Sequence, residues 1–400
     1  MTPLTLHHFN ITRYFIIVII GFSIPFSTAA TNITIGLALL LLLAELTLLS
    51  NNYQHKWLIL RDQPIVWLAV ALFSFMLLAI LYTTASWSEV NKMLLKYREL
   101  LLIPLFFLLI RDRKSQQLGL YSFIAAMILT LFLSYLITWT GWHIGKGTVE
   151  NPFVFKNHIT QGILMSLAAY FLAIQSIQQR SGRILRTIFV LLATYNIIFM
   201  TQGRTGYLVL ACLILLLIYQ LYHWRGLFIG VITLSLISTM IYISSDQVKM
   251  RIDKISDNVT AYEQGESETS IGFRIEFYQT SLQLIAKHPF FGTGTGSFHQ
   301  TYTALATTQN KPTTENPHNE YLMIAVQWGL IGLSLFIGLL YVMWRRANNL
   351  SIENKWMLQG LLITMGVGCL VNSLLLDFTE GHAFVFLLSV FMADCKFSKP

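Results

Sequence analysis

Long apolar segments separated by short polar ones dominate the pattern of hydrophobic and polar positions along the chain. An α-helix needs roughly 20 mostly apolar residues to cross a bilayer, and many of these segments approach that length. The pattern predicts an all-α polytopic membrane protein with about twelve spans. They cover residues 14–30, 32–50, 64–82, 97–110, 118–140, 159–178, 184–200, 205–222, 226–243, 319–344, 356–376 and 382–395.

One long hydrophilic segment, residues 244–318, interrupts this pattern between the ninth and tenth spans. Apolar residues recur within it at helical spacing and predict two amphipathic helices. The first pattern is Val248, Ile252, Ile255 and Val259; the second is Ile271, Ile275, Tyr278, Leu282 and Ile285. In the second helix Glu276 is expected to face solvent. We expect both helices to lie across one mouth of the bundle.

Composition supports a single membrane domain, residues 1–400, with this segment as its one large insertion. The chain is 54% hydrophobic and only 12% charged, whereas soluble domains carry about 25% charged residues. The three cysteines lie in or beside predicted spans, so neither a disulfide framework nor a cysteine metal site is expected.

Basic residues predict the orientation of the bundle. With the N-terminus inside, the inner segments hold 15 Lys and Arg, against 6 in the short outer loops. Positive residues favour the cytoplasmic side, so both termini are expected there and residues 244–318 outside. The net charge of +8 is then mainly a topology signal, and it does not indicate nucleic-acid binding.

Polar and ionisable residues gather at the predicted outer rim and are scarce at mid-membrane depth. This scarcity argues against a transporter, whose coupling sites need polar groups within the membrane. The candidate chemical groups at the rim are Lys96, Arg98, Lys156, His158, Arg204, Arg274 and His318.

His318 is the candidate general base. Asn316 could cap the tenth span with Pro317 at its first position, which would place His318 in the first helical turn. The positive end of the helix dipole would then disfavour imidazolium, and a neutral imidazole is what a general base requires. A histidine that only caps or packs at the interface fits the spacing equally well.

Arg204 and Arg274 are candidate ligands for a diphosphate, because a guanidinium keeps its charge and binds phosphate oxygens in pairs. Spacing alone slightly favours other roles: an Arg204 that contacts lipid phosphates, and an Arg274 that snorkels or pairs with a nearby glutamate. The glycine-rich run His288–Phe298 is predicted to be a structural turn rather than a substrate loop. It has no surrounding βαβ pattern.

Two motifs resemble the bacterial O-antigen ligase family, within the O-antigen ligase/polymerase superfamily. They are RIEFYQTSLQLIAKHPFFGTGTGSF (Arg274–Phe298) and NPHNEYLMIAVQWGLIGL, which contains His318. TQGRTGYL around Arg204 and FKNHITQG (Phe155–Gly162) add weaker similarity.

The resemblance implies a metal-independent glycosyltransferase of the C type, without a cofactor, in the inner membrane of a Gram-negative bacterium. Such ligases transfer polysaccharide from undecaprenyl diphosphate to a sugar hydroxyl of lipid A–core, among membrane lipids at the periplasmic surface. The family's essential histidine falls on His318 and its two important arginines fall on Arg204 and Arg274. Lys96, Arg98, Lys156 and His158 are additional candidates from position alone.

Three other functions stay open at this point. An O-antigen or exopolysaccharide polymerase would use the same donor, but commonly shows two sizeable periplasmic loops. A protein O-oligosaccharyltransferase commonly continues well past the last span. A transporter or lipid flippase is disfavoured by the scarcity of charge within the spans.

Overall fold

The computed structural model describes residues 3–48, 57, 59–264 and 268–393, and the regular elements found there are helical. The first eight helices are α1 Pro3–Ser23, α2 Thr28–Leu48, α3 Pro64–Leu78, α4 Trp87–Tyr97, α5 Leu102–Leu109, α6 Arg113–Thr140, α7 His158–Gln178 and α8 Arg183–Tyr195. The others are α9 Arg204–Ser244, α10 Asp246–Glu263, α11 Ser270–Lys287, α12 Phe298–Thr308, α13 Glu320–Ala347, α14 Ile352–Val371 and α15 Phe378–Met392.

Seven helical segments among the described residues are long and apolar enough to cross a membrane. They are Thr28–Leu48, Pro64–Tyr82, Arg113–Thr140, His158–Gln178, Arg183–Met200, Arg204–Ser244 and Glu320–Ala347. The described residues are thus all-α, and these helices agree with the polytopic membrane architecture expected from the sequence. Each of the twelve predicted segments overlaps a helix in the described residues, although the first, 14–30, also includes the turn between α1 and α2. The count of twelve spans stays a prediction.

Helix α9 folds back on itself at His223, whose backbone angles (φ 56°, ψ −152°) are not helical. A Cβ built on Gly230 would lie 2.9 Å from the Ile218 side chain, twelve residues earlier. A straight helix would separate these positions by about 18 Å. The two arms therefore match the two predicted segments, 205–222 and 226–243.

Helix α13 is broken at Gly329 (φ 61°, ψ −163°), so the prediction of one uninterrupted span over residues 319–344 is wrong. The rings of Tyr321 and Phe336 have centroids 5.8 Å apart, whereas fifteen residues of straight helix would extend about 22 Å. The amide of Leu330 instead donates to the carbonyl of Pro289 at 2.7 Å. Contacts distant in sequence thus stabilise a break that the apolar pattern does not reveal.

Two charged pairs join α1, α2 and α6 at one end of the bundle. Arg13 forms an ion pair with Asp112, and Arg111 binds Glu45 at 2.5 Å. Asp112 also caps α6, because its carboxylate accepts from the amide of Ser115 at 2.8 Å. The segment 244–318 packs against the opposite end, which we call the loop end; there α1, α6 and α8 finish and α7, α9, α13 and α15 begin.

Helix α15 lies at the centre of the bundle and is buried on all sides, as expected of a helix that is apolar all round. Within α15, the ring of Phe386 packs edge to face on Phe106, and the ring of Phe391 packs edge to face on Phe171. Burial begins at Thr379, whereas Phe378 is half-buried and the capping residue Asp377 is exposed, so α15 starts near the surface of the loop end.

The two predicted helices of the outer segment are confirmed as α10 and α11, while α12 was not predicted. The predicted apolar face of α10 is largely exposed, at Ile252, Ile255 and Val259. The expectation that Glu276 faces solvent is wrong, since only 9% of this residue is exposed. Its carboxylate pairs with Lys311 at 2.8 Å and accepts from the hydroxyl of Tyr262 at 2.7 Å. A tertiary ion pair thus draws this acid inwards.

The glycine-rich run is a structural turn, as predicted. Gly292, Gly294 and Gly296 all have φ between 69° and 97°, a region that favours glycine. A Cβ on Gly294 would come within 2.6 Å of Thr83, so the turn sits directly on the end of α3. The hydroxyl of Thr295 fastens it there by donating to the carbonyl of Met76 at 2.5 Å.

Candidate active site

His318 precedes helix α13 rather than lying in its first turn. The helix begins at Glu320, and the side chain of Asn319 caps it by accepting from the amide of Leu322 at 3.0 Å. The predicted Asn316 cap is therefore wrong by three residues. His318 adopts a left-handed conformation (φ 54°), which is uncommon for a non-glycine residue and marks a position held by its surroundings.

Asn316 holds this unusual turn. Its side-chain oxygen accepts from the amide of His318 at 2.8 Å and from the hydroxyl of Ser373 at 2.8 Å. The amide side chain of Asn319 donates to the carbonyl of Leu370 at 3.0 Å. The turn that carries His318 is thus joined on both sides to the end of α14.

The imidazole of His318 is half-buried, and its ring centroid lies 6.4 Å from that of Phe277 in a nearly parallel orientation. Burial lowers the pKa of His318 below its usual 6.5, and the positive charge of Arg274 lowers it further. Neither ring nitrogen has a hydrogen-bond partner among the described residues. At neutral pH the ring is therefore neutral and free to accept a proton.

Arg274 is the fifth residue of α11 and lies close enough to His318 to affect its titration. The helix is anchored beside the turn by Tyr278, whose hydroxyl lies 2.8 Å from the carbonyl oxygen of Leu370 and 3.3 Å from that of His318. Arg274 itself is half-buried and forms no ion pair within the described residues. Its guanidinium is thus available to an external anion.

Arg204 opens helix α9, with Gly203 at the capping position. Only glycine fits there, because a Cβ on Gly203 would lie 2.9 Å from the carbonyl oxygen of His158. The hydroxyl of Thr205, which follows Arg204, accepts a hydrogen bond from the side chain of Asn372 at 3.0 Å. Since Ser373 contacts Asn316, the segment after α14 connects the start of α9 to the His318 turn. Arg204 too is half-buried without an ion pair in the described chain.

The other four candidates lie at the loop end in different environments. Lys96 donates to the carbonyl of Leu376 at 3.3 Å, whereas Arg98 donates to the side chain of Asn32 at 2.6 Å. Lys156 is half-buried, and burial lowers its pKa. His158 begins α7, beside Gly203. The structure thus places Lys96 and His158 on segments that border the site, whereas Arg98 binds Asn32 instead. Their substrate-binding roles stay predictions.

Sequence reasoning missed Glu320, the residue that braces the site from inside. This fully buried carboxylate accepts from the amide of Leu375 at 2.9 Å and from the phenol of Tyr97. It links the start of α13 to the segment after α14 and to α4. An acidic residue in the first turn of a membrane helix, two positions after the candidate base, was the available signal.

No group of three or more His, Cys, Asp or Glu side chains that could hold a metal ion occurs among residues 3–48, 57, 59–264 and 268–393. The site instead offers a neutral imidazole and two unpaired guanidinium groups. Such a set can bind an anion and remove a proton from a neutral nucleophile.

Fold and site together describe a polytopic helical membrane protein with a polar site, containing a histidine and two arginines, at one end of its bundle. The sequence model described as O-antigen ligase matches residues 187–337. This span includes Arg204, Arg274 and His318, so the part of the chain that carries all three is similar to the O-antigen ligase family.

Two further comparisons describe what the chain is similar to. An uncharacterised protein from Haemophilus influenzae is 25% identical over 275 residues, which cover 64% of this chain and 66% of that relative. The match thus spans slightly less than two thirds of the relative. A chain from a solved peptidoglycan synthase complex covers 84% of this chain and 99% of its own, at 15% identity and a TM-score of 0.49. That score does not establish a shared fold.

Proposed function

We propose that this protein is an O-antigen ligase. It transfers polysaccharide from undecaprenyl diphosphate to a sugar hydroxyl of lipid A–core, without a metal ion or cofactor. The observation that carries the proposal is a half-buried, neutral His318 under the influence of Arg274, with Arg204 on a helix that hydrogen bonds connect to the same segment. Both arginines are half-buried and lack ion-pair partners in the described chain. The match of residues 187–337 to the O-antigen ligase model supports it.

The proposed reaction is a single displacement. A hydroxyl oxygen of the acceptor sugar attacks the anomeric carbon of the donor, and its proton moves to a ring nitrogen of His318. The bond from the anomeric carbon to the diphosphate oxygen breaks as the new glycosidic bond forms. Arg204 and Arg274 neutralise the charge that develops on the departing diphosphate. One displacement inverts the configuration at the anomeric carbon.

The site is proposed to face the periplasm, with both termini in the cytoplasm of a Gram-negative cell. The Lys and Arg bias of the short loops supports this orientation. The inner membrane is the corresponding location. There the half-buried guanidinium groups at the loop end would meet the diphosphate of the donor near the outer membrane surface.

The test is transfer by the purified protein in EDTA, with lipid A–core and an undecaprenyl-diphosphate glycan as substrates. We expect glycan on lipid A–core, and His318→Ala should reduce the rate by roughly 10²- to 10⁴-fold. His288→Ala, an exposed histidine of the same outer segment, is the matched control and should retain activity.

Growth of the donor glycan without modification of lipid A–core would make the protein a polymerase. Activity that required an added divalent metal would contradict the role given to the arginines. Normal turnover by His318→Ala would contradict the role given to the base.

A further inference from the structure

A second cationic pocket opens at the loop end, beside the candidate active site. It has a volume of about 400 Å³ and lies between the turn that joins α1 to α2 and the segment that leads into α7. Two lysines, Lys146 and Lys156, and three phenylalanines, Phe26, Phe153 and Phe155, line it. We call it the lysine pocket. Its volume is within the range of about 300–1,000 Å³ that is typical of small-ligand sites.

The two lysines place positive charge in this pocket. Neither forms an ion pair within the described residues, and the residues that line the pocket include no carboxylate. Burial lowers the pKa of Lys156; the negative charge of Glu380 partly offsets this, while the positive charge of Lys146 adds to it. An anion between the two ammonium groups would remove their mutual repulsion.

Two helix N-termini add positive potential to the same pocket. Thr28 is the first residue of α2, Asn157 caps α7, and both line the pocket. A helix N-terminus carries the equivalent of about half a positive charge. The pocket therefore combines two full and two partial positive charges, which is the arrangement expected around a phosphate group.

The aromatic walls suit the apolar face of a sugar ring. The rings of Phe26 and Phe155 have centroids 4.0 Å apart, and Phe153 extends the wall towards His158, with centroids 5.9 Å apart. The hydroxyl groups of Ser27 and Thr28 add hydrogen-bonding partners at the rim. A phosphorylated sugar matches this combination of cations, rings and hydroxyls better than a bare phosphate does.

The lysine pocket borders the Arg204 turn. The side-chain oxygen of Asn151 accepts from the amide of Gln202 at 3.1 Å, and Gly203 lies against the carbonyl oxygen of His158. A ligand in the pocket would thus lie next to the proposed diphosphate site but on separate residues.

We propose that the lysine pocket binds a phosphorylated sugar of the acceptor glycolipid. This rests on the proposed ligase function, in which Arg204 and Arg274 already serve the diphosphate of the donor. Lys146 and Lys156 anchor the phosphate, and the phenylalanines hold the sugar that carries it. The pocket thereby fixes the acceptor beside the donor and selects acceptors that carry phosphate.

The experiment measures binding without turnover, in nanodiscs of neutral lipid and without donor. Its ligands are lipid A–core and the same material after enzymatic removal of its phosphates. The test variant is Lys146→Gln/Lys156→Gln. Lys249→Gln/Lys254→Gln makes the same charge change on exposed residues of α10 and is the control. We expect wild type and control to prefer the phosphorylated ligand by roughly tenfold or more, and the test variant to lose this preference.

A preference that survives in the test variant would overturn the proposal, as would weaker binding of undecaprenyl diphosphate with unchanged acceptor binding. Loss of the wild-type preference for phosphorylated lipid A–core in nanodiscs that contain phosphatidylglycerol would also overturn the proposal. That result would mean that membrane headgroups occupy the pocket. Lys146→Gln alone, at an exposed position, keeps the test available if the double variant does not fold.

The two proposals can fail separately. Phosphate-dependent binding without transfer to lipid A–core would refute the ligase reaction and leave the pocket intact. Transfer to lipid A–core that is indifferent to its phosphates and to both lysines would refute the pocket and leave the ligase reaction intact.

Discussion

The hydroxyl of Ser373 donates a 2.8 Å hydrogen bond to the side chain of Asn316, across 57 positions of the sequence. The same oxygen of Asn316 accepts from the amide of His318. One side chain therefore fixes the left-handed backbone of the candidate base and ties it to the segment after α14. Because Asn372 in that segment binds Thr205, this link also relates His318 to the helix that begins at Arg204.

Asn316→Ala is predicted to misplace His318 without removing it. The variant loses two hydrogen bonds, worth about 0.5–1.5 kcal/mol each, so kcat should fall by roughly 10- to 100-fold. Ser373→Ala loses only one and should cause a smaller decrease. Steady-state kinetics of both variants, with donor and acceptor varied separately, provides the measurement. Equal and unimpaired kcat in the two variants would show that the turn does not depend on this link.

The spans were accessible to sequence reasoning because lipid demands apolar runs of a fixed length. The capping residue of α13, beside the candidate active site, could not be predicted in the same way. The motif Asn316-Pro317-His318-Asn319 contains two asparagines that could cap a helix. Capping preferences with proline at the first helical position predict Asn316 as the cap. The structure uses Asn319 as the cap and commits Asn316 to the turn, because Ser373, distant in sequence, supplies its second partner.

The pH dependence of transfer should report the charge of Arg274. Its positive charge lowers the pKa of His318, so the acidic limb of kcat/KM should have its midpoint below 6.5. Arg274→Gln removes that charge, so the midpoint should move up towards 6.5, and activity at pH 6 should fall further than activity at pH 8.

Arg274→Lys retains the charge and is the matched control for this shift, since its midpoint should stay near that of wild type. Profiles of kcat/KM between pH 5 and pH 9 give the comparison. An identical midpoint in the Gln and Lys variants would mean that Arg274 does not act on the base, whatever its effect on the rate.

Arg204 is predicted to serve the diphosphate rather than the acceptor. Arg204→Ala should lower kcat by roughly 10²- to 10³-fold, as expected when one stabilising donor is removed from a leaving group. It should also weaken product inhibition by undecaprenyl diphosphate while the KM for lipid A–core stays nearly constant. Arg204→Lys should recover part of the rate, since it restores the charge but not the paired donors.

An inhibition constant for undecaprenyl diphosphate that is the same in Arg204→Ala and wild type would contradict this role. It would favour the other interpretation of the residue, an interfacial arginine that contacts lipid phosphates. Arg345→Ala, an interfacial arginine at the far end of α13, is a suitable control for general effects on lipid contact.

The partners of the buried acids were also beyond sequence reasoning. Glu276 belongs to an amphipathic pattern that assigns it to solvent, yet Lys311 pairs with it from a segment without regular structure. Glu320 is bound by Leu375 and Tyr97, each distant in sequence. The spacing of apolar residues along a helix indicates which face is buried. It does not indicate whether an acidic residue has a partner on another element.

Gly294→Ala is predicted to destabilise the protein rather than impair chemistry directly. The residue has φ 97°, and a Cβ would lie 2.6 Å from Thr83, so substitution both strains the backbone and separates the turn from α3. We expect a loss of about 1–3 kcal/mol and a lower Tm in detergent. Gly338→Ala is the matched control, since a Cβ there meets nothing within 4 Å. Thermal unfolding of both variants, followed by intrinsic fluorescence, decides the matter: a Tm for Gly294→Ala equal to that of Gly338→Ala would show that the turn tolerates a side chain and does not fasten the outer segment to the bundle.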